Sequence, residues 1–466
     1  MSPAAQKPLK SVVETEKMDE VRDWLDGKPS VIIAEELHRL TPAQMAVAFR
    51  VLPKDRALHV FEYMDPPVQA ELLSGLVEGE TASMLRSLAP DDQAELLDEI
   101  PAKVAARLME GLPASERSFV SDLLGYPAES AGRLMVPTPT VLAPAATREE
   151  ALDKIQRNAQ AQSSADDHHD STVIDSDIAV VPVADNSRRL LGTVSLSAVV
   201  AAPTGTQIEQ IMHREKFQVK ASEDQEVAAR LMQEADLLAL PVVDDEERIL
   251  GLITVDDAME VLEFEATEDA YRSGGSEPLK EPYLKATVLT LARKRGTWLV
   301  LLILAAFLTI NVMEFFESTL EAVVVLSVFV PMIIGTGGNA GAQAASSVVR
   351  ALAVNEVRPS DVARVIWREI RVGFLLGMFL GVVIFPVIFW IYDLPVASTI
   401  SITIVAICTW ACIVGGVLPL LARKLGVDPA VFSTPVVSTL VDATGLVIYF
   451  TVAGTIMADQ IAAATG

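Results

Sequence analysis

Apolar and polar positions are arranged in three different ways along the 466 residues. From about residue 297 onward the apolar positions form five long runs, at roughly 297–316, 322–350, 372–392, 397–421 and 430–457. Each is long enough to cross a bilayer as a helix, which takes about 20 residues. The second and the last contain polar breaks. Between residues 40 and 124 an apolar anchor instead returns every twelve positions, at Leu40, Leu52, Met64, Leu76, Leu88, Ile100, Leu112 and Leu124, and Pro often follows it. Each unit predicts a turn and one short helix, such as Asp91–Leu97. No such unit buries its apolar side alone, so stacking into a helical superhelix is expected. Residues 131–264 carry two similar blocks, Ala179–Asp185 with Leu191–Ser195 and Ala239–Asp245 with Leu250–Asp257. Each pairs a buried strand with a turn, a second strand and a helix, and helical stretches at 149–157 and 224–235 precede them.

Charge sharpens this division. Residues 290–466 hold ten Lys/Arg and ten Asp/Glu, so the whole formal charge of −25 lies in the first 289 residues. A field of that sign repels nucleic acid and anionic lipid and attracts cations. The basic residues of the apolar half fall in alternate connections. Arg293, Lys294 and Arg295 precede the first run; Arg350, Arg358, Arg364, Arg368 and Arg371 lie between the second and third; Arg423 and Lys424 lie between the fourth and fifth. The other connections carry Glu317, Glu321 and Asp393. The positive-inside rule then predicts a multi-pass protein of the cell (plasma or inner) membrane, with a cytoplasmic N-terminal half and an external C-terminus. The N-terminus is polar, so no signal peptide is expected.

The carboxylate well inside an apolar run is Asp442, with Ser433, Thr434, Ser438, Thr439 and Thr444 nearby. Ionised Asp at bilayer depth is costly and usually faces water or a partner charge. No Lys or Arg within the runs could pair with it, so the choice is between a cation site and a protonated Asp that glues helices. Gly335, Gly337, Gly338 and Gly341 surround Asn339 in the second run, with Gln343 beyond. Small residues permit close helix packing. A bend that turns carbonyls toward an aqueous path would also account for the two amides. Oxygen ligands of this kind suit Mg²⁺, which keeps its inner waters.

The segment from Asp256 to Asp269 has seven acidic residues in fourteen. On a helix several would repel at three- and four-residue spacing. It is either a solvated face or a cation site completed by another acidic surface. Cys408 and Cys412 share one helix face and read as packing residues. The polar 160–176 segment, with Asp166, Asp167, His168, His169 and Asp170, reads more simply as a solvated loop than as a metal site; His38, His59 and His213 show no ligand spacing.

Three motifs together carry a family resemblance: Gly337-Gly338-Asn339 with Gly341 and Gln343, Val427-Asp428-Pro429-Ala430, and Asp442 with Gly445. From about residue 30 onward the chain resembles the MgtE family of magnesium channels. The resemblance implies a multidomain membrane protein: a cytoplasmic α-helical superhelix (1–130), an α/β pair of CBS modules (131–264), a connecting plug helix and linker (265–292) and an all-α, five-span pore domain (293–466). It implies a homodimer with the pore on its axis, lined by Gly337, Gly338, Asn339 and Gln343, where Asp442 holds hydrated Mg²⁺. It further implies that cytosolic Mg²⁺ bridges acidic residues and shuts the pore: Glu265, Glu268, Asp269 and Asp428 at the plug, Asp236, Asp257 and Glu260 in the CBS pair, and Asp91 and Glu95 in the superhelix. The second block has Thr254-x-x-Asp257, a pattern that often holds an adenosine ribose, whereas the first has Ser195-Leu196-Ser197-Ala198 without the Asp, so ATP is a doubtful ligand.

The expected function is a gated Mg²⁺ channel or transporter without enzymatic chemistry; no phosphate-binding Gly-Lys-Ser/Thr loop is present. The alternatives are a CBS-regulated transporter of Mn²⁺ or Co²⁺, a non-conducting Mg²⁺ sensor, and an anion carrier. The last lacks a buried basic residue in the apolar half.

Overall fold

The twelve-residue repeat becomes a two-row stack. The computed structural model describes residues 8–465 other than 16, 77, 139, 166–178, 280–282 and 433. Its first ten helices are α1 (Leu9–Val13), α2 (Met18–Asp26), α3 (Ser30–Leu37), α4 (Pro42–Val51), α5 (Lys54–Glu62), α6 (Pro66–Ser74), α7 (Glu78–Ser87), α8 (Pro90–Glu99), α9 (Ala102–Glu110) and α10 (Ala114–Leu124). Even-numbered helices pack on even and odd on odd, from α2 on α4 to α8 on α10 and from α1 on α3 to α7 on α9. The repeating unit of packing is therefore a pair of helices. Its local marks recur at the doubled spacing. Pro42, Pro66 and Pro90 each open an even helix, where the missing N–H costs nothing. Gln69 and Gln93 are both buried and donate their Nε2 to the carbonyls of Phe61 and Leu88 at 2.8 Å. All eight anchors are buried or packed against the core.

The two α/β blocks fold alike. Strands β2 (Val180–Ala184) and β3 (Leu190–Ser195) form an antiparallel hairpin, as do β5 (Ala239–Val243) and β6 (Ile249–Thr254). Each turn is built the same way. Asp185 Oδ1 accepts from the N–H groups of Ser187 and Arg189, and Asp244 Oδ1 from those of Glu246 and Arg248. Arg188 and Glu247 take positive φ at equivalent places. The hairpin β5–β6 sits in a four-stranded sheet ordered β1-β6-β5-β4, with β1 (Val136–Pro137) and β4 (Val219–Lys220) at its edges. Helices α11 (Arg148–Ala165), α12 (Leu196–Ala201) and α13 (Gln225–Glu234) complete the blocks. Helix α14 (Val255–Ser273) continues directly from β6, so the acidic segment is helical.

The chain divides into two compact units, one built on residues up to Glu265 with Lys285, the other on Ala266–Leu279 and the residues from Ala286 onward. The second unit contains five helices long and apolar enough to cross a membrane: α15 (Val288–Phe315), α17 (Val325–Ala353), α18 (Val362–Ile391), α19 (Leu394–Lys424) and α20 (Thr434–Ile456). Short α16 (Glu317–Ala322) and α21 (Ala458–Thr465) complete it. Helix α19 is central, packed on α17, α18 and α20. Cys408 and Cys412 lie buried on it, as packing residues. Tyr449 of α20 is fully buried and donates to the Leu326 carbonyl at 2.9 Å.

The bend expected around Gly335–Gln343 does not form; α17 is continuous there. The missing side chains admit neighbours instead. A Cβ at Gly415 would lie 2.2 Å from the carbonyl oxygen of Gly341, and one at Gly337 would lie 2.6 Å from Ile407 Cγ2. In an apolar bundle the gain from this contact outweighs the poor helix propensity of glycine. Gly415→Val is expected to prevent α17 from seating on α19, because backbone cannot yield as a side-chain tip can. Gly454→Ala, with open space at its Cβ position, is expected to be neutral. Thermal stability in detergent, followed by size-exclusion, checks both.

Candidate cation sites

The first acidic group lies in the first unit, where two helix starts supply its carboxylates. Pro90 opens α8 and puts Asp91 and Asp92 in its first turn; β6 leads straight into α14 and puts Asp256 and Asp257 in its first turn. Carboxylates suit helix N-termini singly, but here they face one another. Asp91 is buried, and its Oδ1 has no hydrogen-bond partner. Burial, then Asp92 and Asp257, holds its carboxyl well above the usual range. Burial, then Asp257, Glu260, Glu95 and Glu62, does the same to Asp92. Asp257 is raised to about 7 by burial and by Asp256 and Glu260, against the hydrogen bonds it accepts from Thr254. Glu260 is raised by burial and by Glu95, Asp256, Asp65 and Glu263.

The structure thus brings Asp91, Glu95, Asp257 and Glu260 together. Asp236 stands elsewhere: exposed, with a φ of 51°, it lines an apolar groove of about 400 Å³ beside Val255, Ala258, Met259 and Leu262 of α14. Asp92, Glu62 and Asp65 belong to the group and were missed by sequence reasoning. Asp92 adjoins Asp91 in a helical first turn, which was a usable signal; Glu62 and Asp65 gave none. Among the described residues no three His, Cys, Asp or Glu side chains converge as a ready metal cage. Mg²⁺ fits such an arrangement, since it retains several waters and takes one or two carboxylates, and the unpartnered Oδ1 of Asp91 is an acceptor free to receive it.

A second group lies in the second unit. Gly426, just past the end of α19, takes φ +74°; Asp428 follows and its Oδ1 accepts from the N–H of Ala430 at 2.8 Å. Its Oδ2 accepts from Arg272, which also pairs with Glu268 at 2.5 Å. The structure therefore joins Glu268 and Asp428 through an arginine that sequence reasoning did not single out. Asp269 is half-buried on the same helix. Glu265, in the first unit, accepts from Gln225 Nε2 at 3.1 Å.

The third site is Asp442 on α20. Its Oδ1 is buried without a hydrogen-bond partner, and a Cβ placed on Gly338 would lie 3.5 Å from it and 2.5 Å from Ser438 Oγ. Gly337 and Gly338 are buried, while Gly335, Asn339 and Gln343 form an exposed stripe along α17. The neighbouring threonines bond within the bundle. Thr439 Oγ1 donates to the Pro435 carbonyl and Thr444 Oγ1 to that of Leu440, both at 2.8 Å, and Thr444 accepts from Trp410 Nε1. Such bonding back onto the preceding turn is the usual way a helix satisfies these hydroxyls. Ser433, the Thr434 side chain and the Asp166–Asp170 stretch lie outside the described residues.

Five apolar helices with Asp442 among them, in a chain that also carries a helical superhelix and a pair of CBS modules, define a multi-pass membrane protein with an acidic N-terminal half. A family model described as a divalent cation transporter, MgtE, matches residues 330–452; models of the MgtE intracellular N domain and of the CBS domain match 29–129 and 208–263. The chain is 36% identical over 410 residues to a "Magnesium transporter MgtE" of Thermus thermophilus, covering 87% of this chain and 88% of the relative. It is 28% identical to one of Bacillus subtilis, covering 90% and 92%. A solved structure, the cytosolic domain of the Mg²⁺ channel MgtE in complex with ATP, is similar at 29% identity and a TM-score of 0.47, covering 55% of this chain and 98% of that one. The chain belongs to the MgtE family.

An acid whose folded pKa exceeds its unfolded value, near 4, is stabilising while protonated. Its contribution is complete below about pH 4 and is lost as pH climbs through the folded value, about 7 for Asp257. In chelator, the melting temperature of the acidic half is therefore expected to fall as pH rises through this window, and Asp92→Asn is expected to flatten the fall. Calorimetry across pH checks this.

Proposed function

We propose that this chain carries Mg²⁺ across the cell membrane and that Mg²⁺ on the cytoplasmic side closes the path. The observation that carries the reading is Asp442: a carboxylate within an apolar helix, one oxygen buried and unpartnered, facing a glycine surface. The relatives named as magnesium transporters support the choice of ion. So do the oxygen acceptors that Asp442, Asn339 and Gln343 can offer, which suit a hard cation that keeps its waters.

The path forms between two copies. A second copy set against the exposed Gly335–Asn339–Gln343 stripe would bring two Asp442 side chains to one axis, so that two carboxylates face a divalent ion. Residues 1–289 face the cytoplasm, as the basic connections favour, and the membrane potential there draws a doubly charged cation inward.

Closure uses the acidic groups. Without an ion, Asp91, Asp92, Asp257 and Glu260 repel; an ion that neutralises them favours the packed arrangement and so shifts the population toward it. Helix α14 carries that change, because Asp257 stands in its first turn and Arg272 in its last, where Arg272 joins Glu268 to Asp428 just beyond α19. The cation at these positions acts only by neutralising charge; Thr254 and the helix starts keep the carboxylates in place.

Asp442→Ala is expected to abolish Mg²⁺ flux in liposomes by the purified, correctly inserted protein; unchanged flux refutes the path. Glu268→Gln combined with Asp428→Asn is expected to retain flux and to raise the cytoplasmic Mg²⁺ needed for closure several-fold. A closure curve identical to that of the unaltered protein removes these two residues from the gate. Mn²⁺ and Co²⁺ in competition define the selectivity.

A further inference from the structure

Arg272 is the single basic residue of α14, which carries seven acidic ones. It lies one turn after Glu268. Its guanidinium spans two elements: Nη2 lies 2.5 Å from Glu268 Oε1, and Nη1 donates to Asp428 Oδ2. Two further contacts fix the same end of α14. Gly275, at φ +68°, presents its Cα against Pro435, so that a Cβ there would lie 2.9 Å from Pro435 Cγ. Glu277 Oε1 accepts from Trp298 Nε1 at 2.9 Å. Of the three contacts only the Arg272 bridge is an ion pair, and it joins two of the carboxylates to which the proposed gating assigns an ion.

We propose that Arg272 is a resident counter-cation that bridges Glu268 and Asp428 in place of a divalent ion, holding the end of α14 to the Asp428 loop when that ion is absent. The inference rests on the reading of Glu268 and Asp428 as gating carboxylates. Two carboxylates alone carry a charge of −2; the guanidinium leaves −1, and a divalent cation leaves none. The arginine thus holds the contact partway and releases the oxygens when the stronger cation arrives. Its fork matches two carboxylates in geometry, and it stays protonated at any physiological pH.

The test is the rate at which a broad-specificity protease cuts residues 274–287 in the full-length protein in nanodiscs, with chelator and with saturating Mg²⁺. Arg272→Gln is expected to be cut roughly fivefold faster than the unaltered protein in chelator, the factor set by one partly exposed ion pair, and at the unaltered rate in Mg²⁺. Asp428→Asn removes the same bridge from its other side, so it is expected to be cut faster in chelator and to stay so in Mg²⁺. It serves as the test if Arg272→Gln does not fold. Equal rates for Arg272→Gln and the unaltered protein in chelator overturn the counter-cation and leave the gating reading intact. Faster cutting of Arg272→Gln that Mg²⁺ does not reverse overturns the gating reading, and the inference with it.

Discussion

Carboxylates held close together, where water screens them poorly, govern this molecule. Two charges about 4 Å apart near a protein surface interact by about 4 kcal/mol, comparable with the whole stability of a small domain. Such a group must take up protons, gain a cation or separate. The three acidic sites resolve this differently. Asp91, Asp92 and Asp257 are left to titrate, with Asp257 near 7. Glu268 and Asp428 receive a cation from the chain itself, Arg272. Asp442 receives nothing, and its Oδ1 stays without a partner.

The surrounding fold sets these conditions. Helix starts at Pro90 and after Thr254 aim carboxylates at one another, and α8 buries Asp91 on the same helix as the apolar Ala94, Leu96 and Leu97. In the apolar unit the glycines of α17 let its backbone approach α19 and α20 closely enough for Gly338 to stand beside Ser438 and Asp442. A larger residue there would fill the space that an ion and its waters would need.

Much of this was legible in the sequence because periodicity reports burial. The five apolar runs, the twelve-residue anchors and the twin blocks each became the elements expected. One inference went astray for an identifiable reason. Four glycines suggested a break at 335–343, but helix propensity measured in water undervalues close packing between apolar helices, and α17 runs unbroken through them. The bridge from Arg272 to Asp428 spans 156 positions, and no local pattern announces a contact of that range. Of the acidic groups, Asp91, Glu95, Asp257 and Glu260 were identified through resemblance. Asp92, Glu62 and Asp65 emerged only once α8 and α14 were placed together.

The most direct test of the account is Mg²⁺ flux through the purified protein in liposomes while free Mg²⁺ is varied on the face that carries the acidic half alone. The account predicts flux that is high when that face is depleted and falls steeply as it fills, with a midpoint that moves to lower Mg²⁺ as pH rises and the carboxylates ionise. Flux indifferent to Mg²⁺ on that face, at any pH, would contradict it.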